Sequence, residues 1–204
     1  MPTLYIVAGC NGAGKSETYK SIVPEGLESF DFDLCYKKHF DLSNNENESL
    51  IAARNEFMEA IEKAADQGAD FSYQTNFDQH PLAYYNEFFL DSDYKLALIF
   101  VSVASIEIAI RRVGLRVLKG GHNVPPELIK SKYKKGFKNL DFFYSFFDLI
   151  VLFENSVSNQ KPSLLLIAEK KEIKFKSKKI PRHLRDNAPL LCKTYFNVGE
   201  SPIG

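Results

Sequence analysis

Residues 9–16 read GCNGAGKS directly after the apolar run LYIVA at 4–8, and no other string constrains the fold as tightly. It is a complete Walker A pattern, set where a first buried strand should end. Gly9, Gly12 and Gly14 let the backbone curl so that successive N–H groups point inward at an anion. A helix beginning near Lys15 adds its positive end. Cys10, Asn11 and Ala13 complete the cradle, and Lys15 is placed to lie along the β- and γ-phosphates. The Ser16 hydroxyl is placed to join the shell of a Mg²⁺ ion held otherwise by water and phosphate oxygens. ATP and Mg²⁺ are therefore the expected ligands, with Ser16 the metal contact and Lys15 largely solvent-facing before they bind.

The 204 residues, 45% of them hydrophobic, suit one domain with a modest appendage. Lys plus Arg and Asp plus Glu both total 26, so no global basic field points to nucleic acid. Cys10, Cys35 and Cys192 are far apart and lack metal-ligand spacing, which suits reduced thiols. No leader-like segment precedes the first strand, and no apolar stretch approaches the roughly 20 residues that span a bilayer. A cytoplasmic protein without a membrane partner is expected.

Apolar runs of strand length at 4–8, 29–32, 71–75, 96–103 and 149–153 alternate with helical patterns at 48–67, 105–118 and 126–147. This predicts an α/β, three-layer P-loop fold: a mostly parallel five-stranded sheet with helices on both faces. Residues 162–175 read as a C-terminal hairpin or edge addition, with lysines guarding the edge. Beyond it, KSKKIPRHLR and the Pro- and Gly-containing end read as an exposed tail. The expected division is a P-loop kinase domain at 1–170 and a C-terminal extension at 171–204, packed on or trailing from the same domain.

Walker A alone does not separate kinases from other P-loop proteins. No Asn-Lys-X-Asp string reads guanine, and no apolar strand ends in an Asp-Glu pair. The run at 29–33, SFDFD, instead sets Asp31 and Asp33 at the carboxyl edge of the sheet, on one face if extended. Such a carboxylate can take the proton of an acceptor hydroxyl, a role assigned to Asp33. Asp31 is better read as a helix cap or loop charge. Arg112 and Arg116 share a helical face, where two guanidiniums can grip phosphate oxygens, and Gly120-Gly121 supplies a hinge for a closing lid.

The string RVGLRVLKGGHNVP at 112–125, continued by ELIKSKYKKGFKNL at 127–140, resembles the lid segment of zeta-toxin-like P-loop kinases. The likeness covers most of residues 3–168 and includes Asp33, the Gln74-Thr75 pair and residues 153–156, FENS. It implies ATP-dependent phosphorylation of a sugar hydroxyl, with Thr75, His122 and Asn155 beside the nucleotide. For toxins of that family the acceptor is a UDP-linked N-acetyl amino sugar such as UDP-N-acetylglucosamine, and an antitoxin protein is a partner. Gln74 stands where the family has glutamate, and Lys132 where it has arginine, so a charge and a bidentate fork are lost at these two positions. The residues leave open a kinase of another small hydroxyl acceptor, or a nucleotide-binding module without transfer. The phenylalanines and tyrosine at 142–147 read as packing, and His39, His80 and His183 as surface or hydrogen-bonding groups.

Overall fold

A computed structural model of the chain describes residues 1–89, 93–121 and 123–197. Strand β1 (Thr3–Ala8) is buried along its second half. It pairs in parallel with β2 (Phe71–Thr75) on one side and β3 (Lys95–Ser102) on the other. Further parallel pairing joins β3 to β4 (Leu149–Glu154). Two antiparallel strands, β5 (Ser163–Glu169) and β6 (Glu172–Lys176), extend the sheet to the order β2-β1-β3-β4-β5-β6. The chain runs from β1 to β2 on one side and then crosses to β3 on the other, so the carboxyl end of β1 is the switch point where an open α/β sheet forms its crevice.

The expected α/β fold is present, with six strands rather than five. The run at 29–32 is not a strand: only Phe30 forms an isolated bridge, to Tyr73. Asp31 stops the extension by capping helix α2 (Phe32–Ser43), its carboxylate accepting from the N–H groups of Asp33 and Leu34. The hairpin adds the two remaining strands through Lys170 and Lys171, which both take positive φ, as a type I′ turn requires.

The first helix, α1 (Lys15–Thr18), is a single turn continued by a 3-10 turn at Tyr19–Ser21. Helix α3 (Glu46–Gln67) begins at an Asn45 cap and ends on Gly68 in the left-handed conformation. Ser105 caps α5 (Ile106–Val117), and Pro125 precedes α6 (Pro126–Phe143). Between β2 and β3 lies the short α4 (Ala83–Phe88).

The stretch expected to be an exposed tail folds instead into α7 (Arg182–Asn187) and α8 (Pro189–Phe196). Leu184, Ala188, Leu191, Cys192 and Tyr195 are buried. The Leu191 N–H donates to Asp141 on α6 at 2.9 Å, and His183 meets the Ser102 hydroxyl at 3.2 Å. The aromatic run at 142–147 divides: Phe147 is buried, while Phe142 and Phe146 are exposed and so are not core packing. All three cysteines are free and buried. No helix among the described residues is long and apolar enough to cross a membrane.

Candidate active site

The loop after β1 closes on itself through the Ala13 N–H, which donates to the Cys10 carbonyl at 3.1 Å. Gly9, Gly12 and Gly14 have φ of +143°, +83° and +92°, conformations that a side chain rarely permits. Space forbids a side chain as well. A Cβ on Gly12 would lie 2.6 Å from the Ala109 carbonyl oxygen, one on Gly9 would strike Val101, and one on Gly14 would strike Asn155. Because α1 is so short, the pull on a phosphate comes from the loop amides and first-turn N–H groups rather than from a long helix dipole.

Lys15 is half-buried rather than solvent-facing, its ammonium donating to the carbonyls of Gly9 at 2.8 Å and Cys10 at 3.4 Å. Burial holds that ammonium below the usual lysine range. Lys132 pushes the same way, while Cys10, Asp33 and Asp31 oppose the shift. The Cys10 thiol is pushed up to about 11 by burial, so it is a packed, unreactive part of the loop. Ser16 is exposed and donates its hydroxyl hydrogen to Gln74 Oε1 at 2.9 Å, which leaves the oxygen lone pairs for a cation.

Asp33 sits in the first turn of α2, not on an extended strand, and reaches the loop through Asn11, whose Nδ2 donates to Asp33 Oδ2 at 3.4 Å. Arg112 donates to the Gly12 carbonyl at 3.4 Å, and Arg116 lines the same cleft. The expected hinge is a closed cap. Gly120 at φ +83° donates to the Val117 carbonyl, and Gly121 to that of Arg116, the two bonds of a Schellman motif. His122 lies outside the described residues.

Asn155 is buried and donates to the Ala13 carbonyl at 2.8 Å, holding the loop from behind. Thr75 accepts from the Phe77 N–H at 3.0 Å and so shapes the turn after β2. That turn is fastened by a residue which the motif reading did not single out. Asn139 on α6 donates to the carbonyls of Phe77 and Gln79, both at 2.8 Å, while Phe77 is held at φ +61°. Nothing in the local sequence marks Asn139; its meaning depends on Gly136 letting α6 approach the Asn76 carbonyl.

Together these residues open a cleft of about 1110 Å³. A pocket for one drug-sized ligand spans roughly 300–1,000 Å³, so this cleft has room for a nucleotide and a second molecule. Lys15, Arg112, Arg116, Lys119 and Lys132 are the lysines and arginines of its described lining. Phe30, Phe57, Tyr73 and Tyr84 belong to the same lining, with Asp31, Asp33 and Asp78.

No family model matches the chain, and no curated protein matches it significantly. Similar folds occur among solved structures. A chain of the AvrRxo1-ORF1:AvrRxo1-ORF2 complex with sulphate ions has a TM-score of 0.68 at 14% identity, covering 100% of this chain and 66% of its own length. The same complex with ATP gives 0.68 at 14% identity, covering 98% and 66%. A chain of the PezAT chromosomal toxin-antitoxin system of Streptococcus pneumoniae gives 0.62 at 14% identity, covering 98% and 81%. A putative kinase from Chloroflexus aurantiacus gives 0.52 at 18% identity, covering 65% and 80%. At this identity they show the fold alone: a three-layer α/β architecture on a mostly parallel sheet. The chain spans only about two thirds of the AvrRxo1 chains it resembles.

Proposed function

We propose that the protein is an ATP-dependent kinase that phosphorylates a hydroxyl of a small molecule. One observation carries this reading: a phosphate-loop lysine and serine face a first-turn carboxylate across a cleft that also receives two arginines of a separate helix. The crystallised AvrRxo1 complex with ATP supports nucleotide binding by this fold. A nucleotide sugar such as UDP-N-acetylglucosamine is the acceptor that the sequence resemblance implies. The two-chain complexes among the similar structures support a protein partner of the antitoxin kind.

The donor set fits Mg²⁺, since Ser16 Oγ and Gln74 Oε1 are hard oxygen atoms 2.9 Å apart. Ser16 would hold the ion with water and phosphate oxygens, and the ion would supply charge neutralisation. In transfer, the acceptor oxygen forms a bond to the γ-phosphorus as the bond to the β,γ-bridging oxygen breaks. Asp33 takes the hydroxyl proton and ADP leaves with the bridging oxygen. Lys15, Arg112 and Arg116 offset the negative charge of the moving phosphoryl group.

Incubation with ATP, Mg²⁺ and a panel of sugars, nucleosides and nucleotide sugars tests the reading through a product heavier by one phosphoryl group. A nucleotide-binding module would bind ATP yet give no such product from any acceptor.

A further inference from the structure

We infer that Cys35, His39 and Glu56 form a binding site for Zn²⁺, or a divalent ion of the same class, that fastens α2 to α3. The site lies outside the cleft lining and is independent of the kinase reading. Its side chains offer a sulfur, an imidazole nitrogen and a carboxylate oxygen, all within 4.8 Å of one another. No other group of three such side chains is so placed among the described residues.

The backbone explains why they meet. Cys35 and His39 are four apart on α2, so the helix stacks them on one face. The chain then turns between the Asn44 cap of α2 and the Asn45 cap of α3, and α3 brings Glu56 back against that face. His39 Nε2 lies 2.9 Å from Glu56 Oε2. These two neighbours are 17 residues apart in the chain, and the ligand types are mixed, so cysteine spacing alone does not show the set.

Ligand chemistry chooses the metal. A sulfur and an imidazole nitrogen suit a borderline ion, whereas Mg²⁺ and Ca²⁺ take oxygen. Four ligands about 2.0–2.3 Å from Zn²⁺ lie roughly 3.2–3.8 Å from one another. The pair at 2.9 Å therefore opens slightly, and any pair nearer the 4.8 Å limit closes by side-chain rotation. Cys35 is buried, while the His39 and Glu56 side chains keep 24% and 41% of their surface exposed, so water reaches the fourth position. The Cys35 thiol, which burial keeps protonated, gives its proton to solvent as the sulfur binds.

Helix α2 has use for such a tie. Cys35 is its one buried residue; Phe32, Tyr36 and Phe40 are half-buried, and Leu34 and Leu42 are exposed. Apolar packing thus holds this helix weakly, and a metal bridge adds what burial does not. Against the ion stands Lys38, whose ammonium donates to the two Glu56 oxygens at 3.2 and 3.0 Å. That pair is exposed, and exposed pairs are weak, so a dication displaces it.

The test uses the full chain without an affinity tag, stripped with chelator and then dialysed against Zn²⁺ in excess Mg²⁺. Metal analysis after gel filtration should find one zinc ion per chain. Loading with Co²⁺ should give the visible bands of a tetrahedral site and a sulfur-to-cobalt charge-transfer band, which Cys35→Ser loses. His39→Gln and Glu56→Gln, at half-buried positions, should weaken zinc affinity about tenfold or more. Lys38→Ala should tighten it about two- to fivefold by removing the competing ammonium. Zinc should also raise the melting temperature of the wild-type chain and not that of His39→Gln. No stoichiometric uptake by the wild-type chain overturns the inference. So does a cobalt spectrum without the sulfur band, or uptake that His39→Gln and Glu56→Gln leave unaltered.

Discussion

Around the loop after β1, an unbroken string of residues supplies one part of the cleft's lining, and α5 and α6 add cations to the same lining. Another part of the lining is gathered from α2, α3, β2 and the stretch after it, and includes aromatic and acidic residues. The difference teaches where chemistry can drift. A backbone cradle with three glycines tolerates almost no change, because a Cβ at any of them meets a neighbour. Of the aromatic residues, Phe57 and Tyr73 are core, while the half-buried Phe30 and Tyr84 can change with less cost to the sheet.

The largest effect that this contrast predicts lies in the loop. Lys15→Ala should remove measurable ATP binding in calorimetry and leave the aromatic packing of the lining unaltered. Gly12→Ala should do likewise, since its Cβ would lie 2.6 Å from the Ala109 carbonyl oxygen. The lowered ammonium value at Lys15 adds a pH signature. ATP affinity should fall as pH rises through that lowered value, giving an alkaline limb to the binding profile. Between the folded and unfolded lysine values the unfolded chain binds more protons, so the stability contribution of this group to the ligand-free protein rises with pH there. Unchanged affinity in either variant would erase the distinction between the two parts of the lining.

Asp33 joins the two parts of the lining, bonded to the loop through Asn11 from the first turn of α2. Asp33→Asn keeps the shape and loses the proton acceptor, so ATP affinity should hold while single-turnover transfer drops about a hundredfold or more. Normal transfer by this variant would remove Asp33 from the chemistry.

The loop after β1 was legible because its pattern is local: spacing alone placed Gly9, Gly12, Gly14, Lys15 and Ser16 on one turn. The run at 29–33 misled because Phe30 and Phe32 alternate with polar residues as in a strand, whereas the Asp31 side chain caps the next helix and ends the extension. For α7 and α8 a signal was present. Leu184, Ala188, Leu191, Cys192 and Tyr195 recur at helical spacing, hidden by neighbouring lysines and prolines. The clamp of Asn139 on the turn after β2 had no local signal, because its partners lie 62 and 60 residues away.

A smaller effect concerns closure. Since Gly120 and Gly121 are tied into the end of α5, Arg112 and Arg116 should move inward with their helix rather than by unfolding at the glycines. ATP should therefore lower hydrogen exchange across residues 112–121, and Arg116→Ala should slow transfer about tenfold more than it weakens ATP binding. Equal exchange with and without ATP, together with unaltered transfer, would reduce this face to a solvated helix surface.

The smallest effect separates two carboxylates that sit two residues apart. Asp31 accepts from the N–H of Asp33 at 3.0 Å and of Leu34 at 3.3 Å, so its first task is to hold the turn that aims Asp33. Asp31→Ala should cost about 1 kcal/mol, the usual worth of an N-cap, and lower the melting temperature by about 2–4 °C in a chain of this size. Asp31→Asn keeps an accepting oxygen and should keep most of that stability. Transfer should follow the cap: weakened in the alanine variant as α2 frays, and close to normal in the asparagine variant. If Asp31→Asn instead loses transfer as steeply as Asp33→Asn while its melting temperature is unchanged, the charge at position 31 acts in the chemistry, and the cleft has two working carboxylates rather than a base and its support.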